Sequence, residues 1–201
     1  MRRALCVGID EYSFGPLQGC VSDADRLASM LTTHEDGSPN FECRKLTAPV
    51  GAGSDCVTRS SLREAIAELF RHEADVALLH FSGHGTVNDL GGYLVTQDAR
   101  KYDEGVAMSD VLQWANGSRA AEVVILLDCC YSGSLGNPPA IDNSRALLRE
   151  EVSILTASRG DQPSVETGGG GVFTSLVLGA LGGGAADVLE RFPINLVHTL
   201  S

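Results

Sequence analysis

The sequence predicts an α/β domain in which a mostly parallel central sheet of about six strands is flanked by helices on both faces. Three observations point there. Short apolar runs alternate along the chain with amphipathic helical patterns, the order that builds a parallel sheet. The most apolar runs, at 76–81 and 123–127, are almost free of polar residues, as strands covered on both sides should be. A chain of 201 residues, 43% hydrophobic and 20% charged, has the apolar mass for one globular core and is neither disordered nor fibrous.

The elements follow in order. Residues 3–9 read as a first strand, ending in the turn-rich Tyr12-Ser13-Phe14-Gly15-Pro16. Val21, Ala24, Leu27, Ala28 and Leu31 recur at helical spacing, with Asp and Arg on the other face. A second strand at 41–46 precedes a Gly/Ser loop at 51–54. Leu62, Ala65, Ile66, Leu69 and Phe70 mark a second helix, with Thr58 or Ser60 available as its cap. A third strand spans 75–81, and Gly91-Gly92-Tyr93-Leu94-Val95 suggests a small hairpin beside the sheet. A short helix at 108–115 leads into a fourth strand at 122–127. The segment 132–149, with Gly133, Gly136 and Pro138-Pro139, reads as loop. A fifth strand at 152–157, a four-glycine loop at 168–171 and a third long helical pattern at 173–181 follow. Residues 187–201 read as a helix cut short, so truncation at the C-terminus is expected.

Charge narrows the partners. The chain carries 15 basic against 26 acidic residues, a net charge of −11. That disfavours nucleic acid and anionic membrane surfaces and would suit basic peptides. Thirteen of the 15 basic residues are Arg, the mark of a GC-rich, bacterial genome. No apolar run approaches the ~18–20 residues of a membrane span. The apolar start halts at Asp10-Glu11, too soon for a signal peptide, so a cytoplasmic chain is expected. The six cysteines, at 6, 20, 43, 56, 129 and 130, are then expected as free thiols. No C-x-x-C occurs, and the histidines at 34, 72, 80, 84 and 198 show no zinc-ligand spacing.

Reactive groups of open α/β sheets sit at the carboxyl ends of strands. The third strand here leads into Ser82-Gly83-His84-Gly85, and the fourth into Asp128-Cys129-Cys130-Tyr131-Ser132-Gly133. If the two strands are neighbours, His84 faces a cysteine across the sheet edge. A thiol beside an imidazole is the minimal pair for covalent catalysis, because the imidazole takes the thiol proton. A lone His at a strand end would otherwise read as structural. His80, inside the strand, reads as a core or supporting residue. Cys6, Cys43 and Cys56 read as small buried hydrophobes.

Ser-Gly-His-Gly after one strand and Asp-x-Cys-x-Ser-Gly after the next resemble the caspase-like cysteine peptidases, above all the metacaspases and bacterial caspase homologues. The gap from 84 to 130 suits a family whose His lies about 50 residues upstream of its Cys. Gly19-Cys20-Val21-Ser22-Asp23-Ala24, Ile154-Leu155-Thr156-Ala157-Ser158-Arg159 and Gly171-Val172-Phe173-Thr174 also resemble family elements, so the resemblance runs from about residue 4 to 185. It implies one caspase-like peptidase domain over 1–201, with a large-subunit-like part to about 135, a loop at 136–149 and a small-subunit-like part from 150.

The resemblance implies Cys130 as nucleophile, with Cys129 in the variable position, and His84 as its base. It implies an oxyanion hole on the backbone N–H groups of Gly85 and Cys130. No third side chain to orient His84 is identifiable. Caspases that cut after Asp carry Gln two positions before the Cys; this chain has Asp128 there. Metacaspases resemble it, and the likeness implies an acidic pocket of Asp23 and Asp128, lined also by Cys20 and Ser82. Two carboxylates favour Arg or Lys before the cut. The plainer reading of Asp23 is a cap for a helix at 24–32.

Many metacaspases need calcium. Asp98 and Asp103 lie in a plausible region, yet Asn137 stands where a carboxylate would be expected, and the oxygen ligands in sight are too few. No cofactor is expected, and calcium is not expected to be obligatory. Autocleavage, if it occurs, is expected in the 132–149 loop at Arg145 or Arg149. The functional expectation is a cysteine endopeptidase cutting after Arg or Lys, an effector domain of a bacterial stress or defence protein with a fused or associated sensor. Two alternatives stay open: a silent caspase-like interaction module, and a Cys–His hydrolase acting on non-peptide substrates.

Overall fold

In the computed structural model, residues 1–51, 53, 56–131, 148–157 and 171–184 are described. Their elements run β1 (Arg2–Ile9), α1 (Cys20–Thr32), β2 (Phe41–Ala48), α2 (Arg59–Arg71), β3 (Ala74–Asn88), β4 (Gly91–Arg100), β5 (Asp103–Ala107), α3 (Met108–Asn116), β6 (Ala120–Tyr131), β7 (Val152–Thr156) and α4 (Val172–Gly179). Strands β2-β1-β3-β6-β7 form a parallel sheet. Strands β4 and β5 extend it antiparallel from the far end of β3. The sheet therefore has seven strands among the described residues, against about six expected. The extra one is β5, whose Asp-Glu-Gly start hides it from a hydrophobicity pattern.

Period-two alternation divides the core. Leu5, Val7 and Ile9 of β1, Leu79 and Phe81 of β3, and Ile125, Leu127 and Cys129 of β6 join the cluster under α2 and α3. Ala4, Cys6, Leu78 and Leu126 face the opposite way, against Leu27 of α1 and Phe173 of α4. Each fully buried Leu, Ile or Phe contributes roughly 1.5–3 kcal/mol, so the sheet ends are pinned by cores on both faces. No helix among the described residues is long and apolar enough to cross a membrane.

The helix starts correct one reading and choose between two others. Helix α1 begins at Cys20, four residues earlier than a cap at Asp23 requires. Its first amide, Cys20 N, donates to Asp10 Oδ1 at 2.8 Å. The cap residue is Gly19, and the Asp23 carboxylate turns instead to Gly171 N and the Ser82 hydroxyl. For α2 the cap is Thr58 rather than Ser60. Thr58 and Ser61 exchange hydrogen bonds as a capping box, and Asp98 Oδ1 accepts from Arg59 N at 2.9 Å.

Strands β3 and β6 both run further than their apolar cores suggest. Ser82-Gly83-His84-Gly85 and Asp128-Cys129-Cys130-Tyr131 are not loops after the strands but their last ladder rungs. The ladder is made of backbone groups, so polar residues and glycines continue it without an apolar signal. Strand β1 stops at Ile9, and Gly85 pairs with Tyr131 on one side and Leu94 on the other. Strand β4 thus takes the place that β1 vacates, and the 10–17 segment fills the notch between them.

Candidate active site

The ladder sets the reacting positions opposite each other. In the β3–β6 register Ser82 pairs with Asp128, Gly83 with Cys129 and His84 with Cys130. Residue 130 shares the parity of Leu126 and Asp128. Cys129 has the opposite parity and is 2% exposed, packed in the cluster beneath α2 and α3. Alternation therefore separates the two adjacent cysteines, giving one to the core.

His84 is held by a cradle that the sequence did not disclose. Its ring Nε2 lies 2.6 Å from the Gly15 carbonyl oxygen. A carbonyl only accepts, so Nε2 carries the hydrogen, and in the neutral ring Nδ1 keeps its lone pair for a proton. A backbone carbonyl thus takes the orienting part for which no side chain was identifiable. Tyr12 supports the same residue from behind. Its hydroxyl accepts from His84 N at 3.1 Å and donates to the Val95 carbonyl at 3.1 Å, tying the 10–17 loop to both β3 and β4. The Tyr12 and Phe14 rings lie 4.7 and 5.7 Å from the imidazole, centroid to centroid. Gly83 is part of this fit: a Cβ there would fall 2.6 Å from the Tyr12 hydroxyl oxygen.

The four residues expected to line an acidic pocket do converge, on the α1/α4 side of the sheet. Asp23 and Asp128 are 1% and 5% exposed. Asp23 Oδ2 accepts from Gly171 N at 2.8 Å and, at a long 3.5 Å, from the Ser82 hydroxyl. Asp128 Oδ2 accepts from Thr174 N at 3.1 Å and from Thr174 Oγ1 at 2.8 Å. Both carboxylates thus point at the first turn of α4, where anionic groups are favoured. Gly171 is required there, because any Cβ would strike Asp128 Oδ2 and Asp23 Oδ2. Burial, and secondarily the neighbouring Asp128, push the Asp23 carboxyl up to about 6, against the pull of the Gly171 amide. Cys20 sits beside them as a thiol, which burial pushes up to about 12.

His80 lies beneath this cluster, fully buried. Its Nε2 is 3.2 Å from Thr174 Oγ1. Thr174 already donates its hydroxyl hydrogen to Asp128, so it accepts from His80, completing a buried chain His80–Thr174–Asp128. Burial pulls the imidazole down to about 4, so the ring is neutral. Gly85, the expected oxyanion donor, occupies the β3 rung between Tyr131 and Leu94.

The other expectations separate. Asp98 accepts from Arg59 N and Thr96 Oγ1, and Asp103 pairs with the Arg59 guanidinium. Both therefore serve the start of α2. No group of three or more metal-ligating side chains occurs among the described residues. Arg149 is anchored: its guanidinium donates to the carbonyls of Ser118 and Ala120 at 3.0 and 2.6 Å. Arg145, Asn137 and the expected helix at 187–201 lie outside the described residues. Tyr12 and the Gly15 carbonyl are the parts that sequence reasoning missed. The signal was a Tyr four residues before a Pro in an otherwise turn-like run, which reads as surface.

Among curated proteins, the chain is 26% identical to Metacaspase-3 of Trypanosoma cruzi over 99% of its own length and 63% of that protein's. It is 26% identical to Metacaspase-1A of Aspergillus oryzae over 90% of its length and 46% of that protein's. It is 30% identical to Metacaspase-2 of Trypanosoma brucei brucei over 68% and 43%. The chain thus spans between about two fifths and two thirds of the length of these relatives. Among solved structures, protein GSU0716 of Geobacter sulfurreducens superposes with a TM-score of 0.66 at 18% identity, over 96% of this chain and 90% of that one, so the two share a fold. The model of the caspase domain matches residues 1–193. The chain belongs to the caspase domain family.

Proposed function

We propose that this domain is a cysteine endopeptidase that cleaves peptide bonds after Arg or Lys. The observation that carries the reading is the β3–β6 register that sets His84 opposite Cys130, with the far nitrogen of the imidazole held by Gly15. His84 Nδ1 takes the thiol proton of Cys130, and the thiolate attacks the scissile carbonyl carbon. Negative charge gathers on the carbonyl oxygen, which the backbone N–H groups of Gly85 and Cys130 receive. The C–N bond breaks as His84 hands its proton to the departing amine, leaving a thioester on Cys130. Water, deprotonated by His84, then attacks the thioester, releasing the carboxylic acid product and restoring the thiol.

Basic specificity is supported by the convergence of Asp23 and Asp128 in a buried site with Ser82 and Cys20. A guanidinium matches two carboxylates in both charge and geometry, and an acidic side chain would meet repulsion there. Calcium is not obligatory in this scheme. Processing, where it occurs, falls at Arg145 rather than Arg149, whose hydrogen bonds to Ser118 and Ala120 would have to break first. The domain is placed here within a larger stress or defence protein, and the greater length of the relatives supports the larger protein alone.

The test is a panel of fluorogenic peptides differing only in the residue before the cut. Cleavage of the Arg and Lys members is expected, with none of the Asp member. Turnover of no member would favour a silent interaction module, and turnover of esters but not peptides a non-peptide hydrolase.

A further inference from the structure

A cavity of about 460 Å³ opens beside His84, away from the acidic pair. Its walls are the 10–17 loop, the last rungs of β3 and the turn from β4 to β5, and neither Asp23, Ser82 nor Asp128 takes part. The floor is apolar, with Val95 and Ala99, while Phe14 stands 58% exposed at the mouth beside the imidazole. Arg100 and Lys101 form the rim, together with Glu104.

The rim is unusual for so acidic a chain. Most Arg and Lys side chains among the described residues stand in ion pairs, Arg59–Asp103 and Arg63–Asp110 among them. Arg100 and Lys101 do not; the Lys101 ammonium lies 5.1 Å from the Tyr102 ring instead. Glu104, the one carboxylate lining the cavity among the described residues, accepts from Tyr102 N at 3.2 Å. Two exposed cations without carboxylate partners therefore face a half-apolar recess at the catalytic imidazole.

We propose that this cavity binds the residue immediately after the scissile bond, and that Arg100 and Lys101 make it favour Asp or Glu there. The assignment rests on the peptidase reading above. The group that protonates the departing amine must lie on the leaving side of the scissile bond, and that group is His84. The acidic pair holds the residue before the cut, so the recess that His84 itself lines receives the one after it. A carboxylate on that side chain reaches the two cations, and its methylenes rest on Val95 and Ala99. The substrate favoured by the whole site is then a basic–acidic dipeptide step.

The experiment uses internally quenched peptides with Arg fixed before the cut and Glu, Asp, Ala or Lys after it, cleaved by the native chain and by an Arg100→Glu/Lys101→Glu double variant. Exposed ion pairs are individually weak, so the native ratio of kcat/KM for Glu over Lys is expected at about three- to tenfold, falling to one or below in the double variant. Circular dichroism confirms folding, and Arg100→Gln alone supplies a milder step in the same direction. A native ratio near or below one, or a ratio unchanged in the variants, overturns the subsite while leaving the Arg requirement standing. Failure of the native chain to cleave any Arg peptide overturns the peptidase reading and the subsite with it.

Discussion

Replacing Asp23 by Asn should make the domain more stable and less active, and the balance should depend on pH in a defined direction. Asp23 is buried, and burial pushes its carboxyl from an unfolded value of 3.8 up to about 6. Below pH 3.8 the group holds its proton in both folded and unfolded chains and contributes no difference. Between 3.8 and about 6 the folded chain binds more protons than the unfolded one, so stability falls as pH rises through that window. Above it the full cost of the buried charge applies, at most about 3 kcal/mol at 1.36 kcal/mol for each pKa unit. Asn has the same shape and no charge, but it accepts more weakly from Gly171 N, which offsets part of the gain. The expected stabilisation is about 1–2 kcal/mol at pH 7.5, vanishing near pH 3.5. Urea unfolding of both proteins across that range reads the difference directly. Cleavage after Arg should fall by roughly 10²- to 10³-fold, because a desolvated cation then faces one carboxylate instead of two. A variant that is less stable than the native chain at pH 7.5, or whose stability difference ignores pH, would make Asp23 a structural anchor for α4 and refute the reasoning.

Other perturbations test the supports around this pair. Tyr12→Phe keeps the ring against His84 but removes the hydroxyl that joins His84 N to the Val95 carbonyl. Roughly tenfold loss in kcat with KM unchanged is expected; a fall in melting temperature alone would make Tyr12 merely structural. Gly171→Ala drives a methyl group into both carboxylates and should cost about 1–3 kcal/mol together with cleavage after Arg; unchanged kinetics would show that the two carboxylates do not work as a pair. Cys130→Ala should abolish cleavage with the fold intact, whereas Cys129→Ala should lower stability and keep substantial activity; equal losses in activity would undo the nucleophile assignment.

The sequence disclosed most where a strict period governs burial. The β1 alternation, with Leu5, Val7 and Ile9 to one face and Ala4 and Cys6 to the other, and the spacing of Leu62, Ile66 and Leu69 in α2 are written by the core. The ends of β3 and β6 were read short because their final rungs are polar or glycine, and a backbone ladder leaves no mark on side-chain hydropathy. His84, Ser82 and Asp128 were legible because polar groups at strand ends are out of place beside an apolar run, whereas Asp23, in the first turn of α1, was singled out only by the family resemblance. Tyr12 was not, since a residue in a turn-like stretch gives no hint that its hydroxyl will bridge two strands 72 and 83 residues away. The Gly15 carbonyl has no side chain to betray it at all. Asp98 and Asp103 misled for the reverse reason: acidic residues near a sheet edge suggest a cation, and here they answer the start of α2 and the Arg59 side chain.

The most direct test of the central claim is covalent capture. Two peptidyl halomethyl ketones, which alkylate an active thiol as halide leaves the methylene, identical except for Arg or Asp at the residue before the reactive carbon, are incubated with the native chain, and the modified residue is mapped by mass spectrometry. The account predicts one equivalent of label on Cys130 from the Arg reagent, at a rate at least about a hundredfold above that of the Asp reagent, in line with the cost of leaving a buried charge uncompensated. Label on Cys129 or spread over several thiols, or faster capture by the Asp reagent, would contradict it.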